Sequence, residues 1–147
     1  MVAPHPETVG SLFFRLAKLH MSRSHTLFHR VGLSRGQPPV LFRLWENDGC
    51  TQSELSERIM IRPATMTSIL QRMEKAGYIR RRADSEDLRV TRVYLTDKGR
   101  ELKGEVEALL RQLDDELTAG FSEEEMQLLR QLMRRMADNL AEAEQEG

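Results

Sequence analysis

The sequence has little of what marks secreted, membrane-spanning or metal-clustered proteins. It contains one cysteine in 147 residues, Cys50, which excludes an internal disulfide and a zinc site built from cysteines. Its longest apolar runs are a few residues, too short for a membrane span, and the first ten residues lack the basic-then-apolar pattern of a secretory signal. We therefore expect a cytoplasmic protein with no membrane partner.

Signals of catalysis are missing as well. All four histidines lie before residue 30, and the chain has neither a nucleophile-elbow motif nor a glycine-rich phosphate loop. Hydrolysis needs a nucleophile, a base and an orienting group close together. The sequence therefore predicts neither an enzyme nor a bound cofactor.

Charge is distributed unevenly along the chain, although the net charge is only −1. Residues 1–50 carry six basic and three acidic side chains, residues 51–100 carry eleven and seven, and residues 101–147 carry five and thirteen. Basic residues are in excess over residues 1–100 and acidic residues over 101–147. This division suggests that one part contacts a polyanion while the other faces solvent or a partner subunit. Variation among solvated helix faces explains the same numbers, so charge alone does not decide between the two.

Apolar spacing and capping residues predict six helices and one hairpin, in a chain of a length that suits a single domain. The third and fourth helices are short and joined by a tight break, which is typical of helix-turn-helix. The fifth and sixth carry long stripes of leucine, valine and methionine. Capping boxes are predicted at Ser34/Gln37, Thr51/Glu54 and Ser122/Glu125, and the elements at about 7–30, 34–46, 51–59, 63–76, 78–95 (hairpin), 96–117 and 122–140.

Several motifs in register make the pattern more specific. They are "TQSELSERI", "PATMTSILQRMEKAGYI", "DSEDLR" and "LTDKGR". Over roughly residues 33–102 the chain resembles the MarR family of bacterial transcriptional regulators. The resemblance implies a homodimer, intertwined through its first, fifth and sixth helices, that binds pseudo-palindromic operator DNA and is usually released by a small molecule or an oxidant.

The expected fold is mainly α: a winged helix-turn-helix with a two-to-three-stranded wing sheet, framed by N- and C-terminal dimerisation helices. Residues 1–147 would form one unit, with dimerisation helices at 1–33 and 97–147 and the DNA-binding region at 34–96. The recognition helix is expected at about 63–76 and the wing at about 78–95.

One face of the predicted recognition helix is apolar and the opposite face is polar. Glutamine can pair with adenine, arginine with guanine, and a threonine methyl with thymine, so this face suits the major groove. An ordinary solvated face is the alternative, which the neighbouring helix, turn and wing make less favourable. The candidate major-groove residues are Pro63, Ala64, Thr65, Thr67, Ser68, Gln71 and Arg72.

The wing carries three acids, Asp84, Glu86 and Asp87, beside basic residues. Because residues i and i+2 of a strand share a side, we predict that Asp87 orients Arg89 for insertion into the minor groove. Asp84 and Glu86 would form the turn and limit nonspecific attraction to DNA. The candidate contacts to the DNA backbone are Thr51, Ser53, Lys75, Arg80, Arg82 and Arg92.

The sequence says less about what regulates the protein. Phe13, His20 and Trp45 could line a pocket for a small aromatic or anionic effector, although ordinary core packing explains them equally well. His25 and His29 have the spacing of metal ligands, but no acidic partner is evident, so no metal is expected. Cys50 does not lie where peroxide-sensing relatives carry their reactive cysteine, so we expect a packed or idle thiol.

A winged helix that binds a protein instead of DNA is the competing function. Such a protein needs neither the wing arginine nor the polar helix face, yet the chain has both. Salt distinguishes the two functions, because phosphate contacts release counterions and an apolar protein interface does not. A repressor is preferred to an activator on the family resemblance alone.

Overall fold

The computed structural model describes residues 7–146, which are mainly helical. The chain divides into two compact units, the first ending at Leu113 and the second starting at Asp114. The elements, in chain order, are α1 (Val9–His29), α2 (Gln37–Glu46), α3 (Gln52–Ile59), α4 (Pro63–Lys75), β1 (Ile79–Ala83), β2 (Thr91–Leu95), α5 (Asp97–Leu117) and α6 (Glu123–Glu146).

The helix-turn-helix consists of α3 and α4. Thr51 and Glu54 form the predicted capping box, in which each side chain accepts a hydrogen bond from the other residue's backbone N–H. Helix α4 starts at Pro63, where proline loses no helical hydrogen bond, and Gly77 follows the C-cap residue with a φ of 84°. The apolar stripe packs inward as predicted, with Met66, Ile69, Leu70 and Met73 all buried.

The wing is a two-stranded antiparallel sheet. Strands β1 and β2 pair from Ile79 with Leu95 to Ala83 with Thr91, and an isolated bridge joins Thr51 to Arg92. This bridge ties the start of α3 to the wing, but the sheet itself has two strands. The predicted fold, a mainly helical winged helix-turn-helix with such a sheet, is confirmed.

Helix α2 begins later than the sequence predicted. Gly36, with a φ of 86°, precedes the helix, and Ser34 is not its N-cap. Half of the predicted capping box nevertheless forms, since the Ser34 N–H donates to Gln37 Oε1 at 3.0 Å. Pro38 and Pro39 lie in the first turn, where backbone N–H groups have no acceptor within the helix.

The long helices present apolar side chains to solvent. In α1, Leu12, Phe13, Leu16 and Leu19 are exposed, whereas Leu27 is buried. In the second unit, none of the residues of α6 is buried, and its exposed apolar side chains are Leu128, Leu132, Met133, Met136 and Leu140. Within residues 7–146, no helix is long and apolar enough to cross a membrane.

Candidate nucleic-acid interface

The polar face of α4 is open to solvent. Six of its seven predicted major-groove residues are exposed, and Thr67, at the edge of the face, is half-buried. This division follows from the packing of the opposite stripe on α3 and the sheet, which leaves most of the polar face uncovered by the rest of residues 7–146. The exposed six are Pro63, Ala64, Thr65, Ser68, Gln71 and Arg72.

At the wing tip, Asp87 holds Arg89 in a two-point ion pair. Arg89 Nε lies 3.1 Å from Asp87 Oδ1 and Nη2 lies 3.2 Å from Oδ2, while the Arg89 backbone N–H also donates to Oδ1. The predicted pairing is present, but its predicted basis was wrong: these residues lie in a loop between the strands, not on one side of a strand. The Arg89 side chain is nonetheless 91% exposed, so its charge is fixed in direction and accessible.

Asp84 connects the wing loop to the base of the wing. Its Oδ1 accepts from Arg92 Nε at 2.6 Å, and its Oδ2 accepts from the backbone N–H groups of Asp87 and Glu86. Arg92 Nη1 in turn donates to the Gly49 carbonyl in the α2–α3 loop at 2.9 Å. Hydrogen bonds therefore run from Gly49 through Arg92 and Asp84 to Asp87, the residue that holds Arg89.

The same hydrogen bonds set the ionisation of the wing acids. The Arg92 guanidinium and then the Asp87 N–H lower the pKa of Asp84, and the Arg89 guanidinium and N–H lower the pKa of Asp87. Both pairs are therefore fully formed above the ordinary aspartate pKa of about 4 and are lost only as the pH falls through the lowered values. The wing needs no pH change near neutrality to present Arg89.

Replacing Asp84 by asparagine should loosen the wing. One carbonyl oxygen cannot serve both Arg92 and the two loop N–H groups, so we expect faster amide hydrogen exchange over residues 84–92 and DNA affinity reduced roughly three- to tenfold. Glu86→Gln is the matched control, because it removes the same charge from a carboxylate that has no partner within residues 7–146. Equal exchange in the two variants would show that Asp84 does not organise the loop.

A groove of about 370 Å³ separates the helix-turn-helix from the wing. Its walls include Gln52 and Ser53 at the start of α3, Pro63 at the start of α4, and Arg89 and Thr91 on the wing. Gln52 was not among the residues chosen from the sequence. Its position directly after the Thr51 cap was the available signal, because the first residues of a helix carry N–H groups that lack internal acceptors.

The predicted DNA-backbone residues fall into two groups. Ser53, Lys75, Arg80 and Arg82 are exposed, whereas Thr51 and Arg92 are half-buried and already bound within the protein. The arginine between the two exposed ones, Arg81, turns inward, and its backbone N–H and guanidinium bind the Glu74 carboxylate and lower its pKa. Alternation along β1 thus directs two of its three arginines outward.

Comparison with known proteins matches this architecture to one family. The profile described as "MarR family" matches residues 33–91. Over 114 residues the chain is 35% identical to the uncharacterized HTH-type transcriptional regulator YdgJ of Bacillus subtilis (strain 168), covering 75% of this chain and 67% of that protein. The chain belongs to the MarR family.

Two further comparisons agree with membership of the MarR family. The HTH-type transcriptional regulator TtmR of Methylorubrum extorquens (strain PA1) is 41% identical over 70 residues, which are 48% of this chain and 36% of that protein. A crystal structure described as a putative MarR-like transcription regulator from Bacillus cereus ATCC 10987 superposes with a TM-score of 0.80 at 26% identity, covering 90% of this chain and 95% of that one. This MarR-family chain is a DNA-binding transcriptional regulator and not an enzyme.

The single cysteine of this MarR-family chain is packed in the core. Cys50 is 4% exposed, and burial, followed by the nearby charge of Glu54, raises the pKa of its thiol. A neutral, buried thiol is a poor nucleophile towards oxidants. The structure thus agrees with the expectation of a packed thiol.

The candidate effector residues lie in different surroundings. Phe13 and His20 are exposed on α1, whereas Trp45 is half-buried on α2, packs against Phe42 and donates its indole N–H to the Gly99 carbonyl at 3.0 Å. The indole N–H of Trp45 is therefore already used inside this MarR-family fold.

Among residues 7–146 no group of three potential metal-ligating side chains comes together, and His25 instead contacts Arg35.

Proposed function

We propose that the chain acts in the cytoplasm as a homodimeric repressor that binds a pseudo-palindromic operator and releases it when a small aromatic or anionic effector binds. The observation that carries the operator-binding part is Arg89, held by Asp87 and exposed across the groove from Pro63, where α4 begins. Repression and release by an effector rest on the family resemblance.

The exposed face of α4 offers chemistry suited to base edges. Gln71 can bond adenine through two atoms, Arg72 can do the same with guanine, and Ser68 can donate or accept. A helix in the major groove reads bases mainly with its N-terminal half, which here begins with Pro63, Ala64 and Thr65. Arg89 would then reach the adjacent minor groove, where narrow A·T-rich segments attract arginine.

Contacts to phosphates would fix the register of the protein on the duplex. The N–H groups of Gln52 and Ser53 start α3 without acceptors inside the helix, and they line the groove between α3 and the wing. Arg80 and Arg82 project from β1, and Lys75 lies at the end of α4. Such contacts position the protein without reading sequence.

The homodimer is proposed from the apolar surface of the long helices. On α1, Phe13 and Phe14 are 61% and 73% exposed, and on α6 Leu140 is 70% exposed. Single exposed apolar residues are ordinary, but a stripe of them along a helix is typical of an interaction surface. A twofold dimer would bury such stripes and set two recognition helices about one DNA turn apart.

Selection of bound fragments from random double-stranded DNA at physiological salt tests the proposal. The enriched duplex is then titrated against a scrambled duplex at several salt concentrations. An enriched inverted repeat with half-sites about one turn apart, bound in a steeply salt-dependent way, supports a dimeric operator reader and provides the probe for release by small aromatic acids.

Weak, salt-sensitive binding without enrichment would contradict the proposed operator. The winged helix would then lack a preferred DNA sequence, and a protein partner would become the better account of its exposed surfaces.

A further inference from the structure

Gln52 and Thr67 connect the two helices of the helix-turn-helix through their side chains. Gln52 Nε2 lies 2.8 Å from Thr67 Oγ1, and the Thr67 hydroxyl donates to the Pro63 carbonyl at 3.0 Å. A hydroxyl has one hydrogen, and Thr67 uses it on Pro63, so Thr67 must accept the bond from Gln52. The orientation of the Gln52 amide is thereby fixed, with its nitrogen towards Thr67 and its oxygen turned away.

This arrangement determines what Thr67 can offer to DNA. Its hydroxyl hydrogen is committed to the protein, so the hydroxyl cannot donate to a base without breaking a bond inside α4. The side chain is also held in one rotamer, because two hydrogen bonds converge on the same oxygen. The Thr67 methyl group takes no part in these hydrogen bonds. A threonine methyl can pack against the 5-methyl group of thymine.

Gln52 also lines the groove between α3 and the wing, together with Ser53 and Arg89. Its amide oxygen and second N–H bond to no other group within residues 7–146 and remain free to bind a ligand. Gln52 therefore lines the groove that is proposed to hold DNA phosphates. It also contacts Thr67, which lies at the edge of the face that is proposed to read bases.

We propose that Gln52 is a positioning residue for base recognition: it locks Thr67 so that the Thr67 methyl packs against the 5-methyl of one thymine in each half-site. This inference rests on the proposed operator binding and adds to it a residue that sets sequence preference without touching the base itself.

The test uses the duplex enriched in the selection and the full-length protein. Each thymine is replaced in turn by deoxyuridine, which removes only the 5-methyl group, and affinity is measured by fluorescence anisotropy. We expect one thymine per half-site at which the replacement weakens binding by the parent protein about fourfold. Thr67→Ser, which keeps the hydroxyl and removes the methyl, should bind both duplexes alike.

Gln52 variants then separate positioning from general structure. Neither Gln52→Met nor Gln52→Glu can donate a hydrogen bond to Thr67. In both variants the ratio of affinities for the thymine and deoxyuridine duplexes should therefore fall towards one, although Thr67 itself is unchanged. Adding Gln52→Met to Thr67→Ser should change the ratio no further, because both act through the same methyl. Ser53→Ala is the control at the same helix start, expected to lower affinity for both duplexes by the same factor.

The outcomes distinguish this inference from the function on which it rests. If no duplex is enriched, operator binding fails and the inference with it. If a duplex is enriched but no thymine responds to deoxyuridine, or if Gln52→Met lowers affinity with an unchanged thymine preference, operator reading stands and the role of Gln52 is wrong.

Discussion

Arg89→Ala should reduce affinity for the enriched duplex by roughly 10- to 100-fold with no change in thermal stability. The Arg89 side chain is 91% exposed, and within residues 7–146 it pairs only with Asp87, so its removal leaves the fold intact. Its loss should nevertheless be costly for binding, because Asp87 already holds the guanidinium in one direction and little side-chain entropy remains to be lost on DNA. A dimer would lose the contact twice.

The salt dependence of binding identifies the kind of contact that is lost. If Arg89 displaces counterions from DNA, the slope of log K against log salt should become shallower in Arg89→Ala. Asp87→Ala should weaken binding less, since it frees the arginine without deleting it. Arg30→Ala, which removes the same charge from the end of α1, is the control for a general loss of positive charge. Parental affinity and slope in Arg89→Ala would mean that the wing does not touch DNA.

Sequence alone predicted the elements whose signals are local. Capping boxes at Thr51 and Ser122 correctly placed the starts of α3 and α6, because each box uses residues only three positions apart. The same signal misplaced α2, where Gly36 takes a left-handed conformation between Ser34 and the helix. A local motif can form its hydrogen bond without being the helix terminus.

The site was predictable only in part, for a related reason. The identity of the exposed α4 residues follows from helical periodicity, and the pairing of Asp87 with Arg89 follows from their closeness in the chain. The bond from Arg92 to Gly49 joins residues 43 positions apart, and the bond from Gln52 to Thr67 depends on how α3 packs on α4. Contacts of this kind depend on the tertiary arrangement, so neither could be predicted from the sequence.

Gly99→Ala should be the most destabilising substitution of a glycine in α5. Gly99 is buried in the first turn of α5, and a Cβ there would overlap the carbonyl oxygen of Tyr78 and lie 3.2 Å from Leu95 Cδ2. The obstacle is mostly backbone, which cannot move aside as a flexible side chain does. We expect a loss of about 3 kcal/mol and a thermal midpoint lower by about 10 °C.

Gly99 matters because hydrogen bonds of its peptide groups link α5 to α2 and to Thr96, which follows the wing. Its carbonyl accepts from Trp45 on α2 and its N–H donates to the Thr96 hydroxyl, while the Thr96 N–H donates to the Tyr78 carbonyl that the new Cβ would strike. Any shift of α5 that relieves the overlap must disturb these bonds. Gly99→Ala should therefore also impair DNA binding, through the start of the wing.

Gly104→Ala supplies the matched control within the same helix. A Cβ at Gly104 meets nothing within 4 Å, so alanine should gain about 0.5–1 kcal/mol from helix propensity and leave DNA affinity unchanged. Thermal midpoints must be compared at equal protein concentration, because a dimer's stability depends on it. If Gly99→Ala has the same thermal midpoint as the parent, α5 does not pack on Tyr78 as closely as described. The link between α5 and the wing then loses its physical basis.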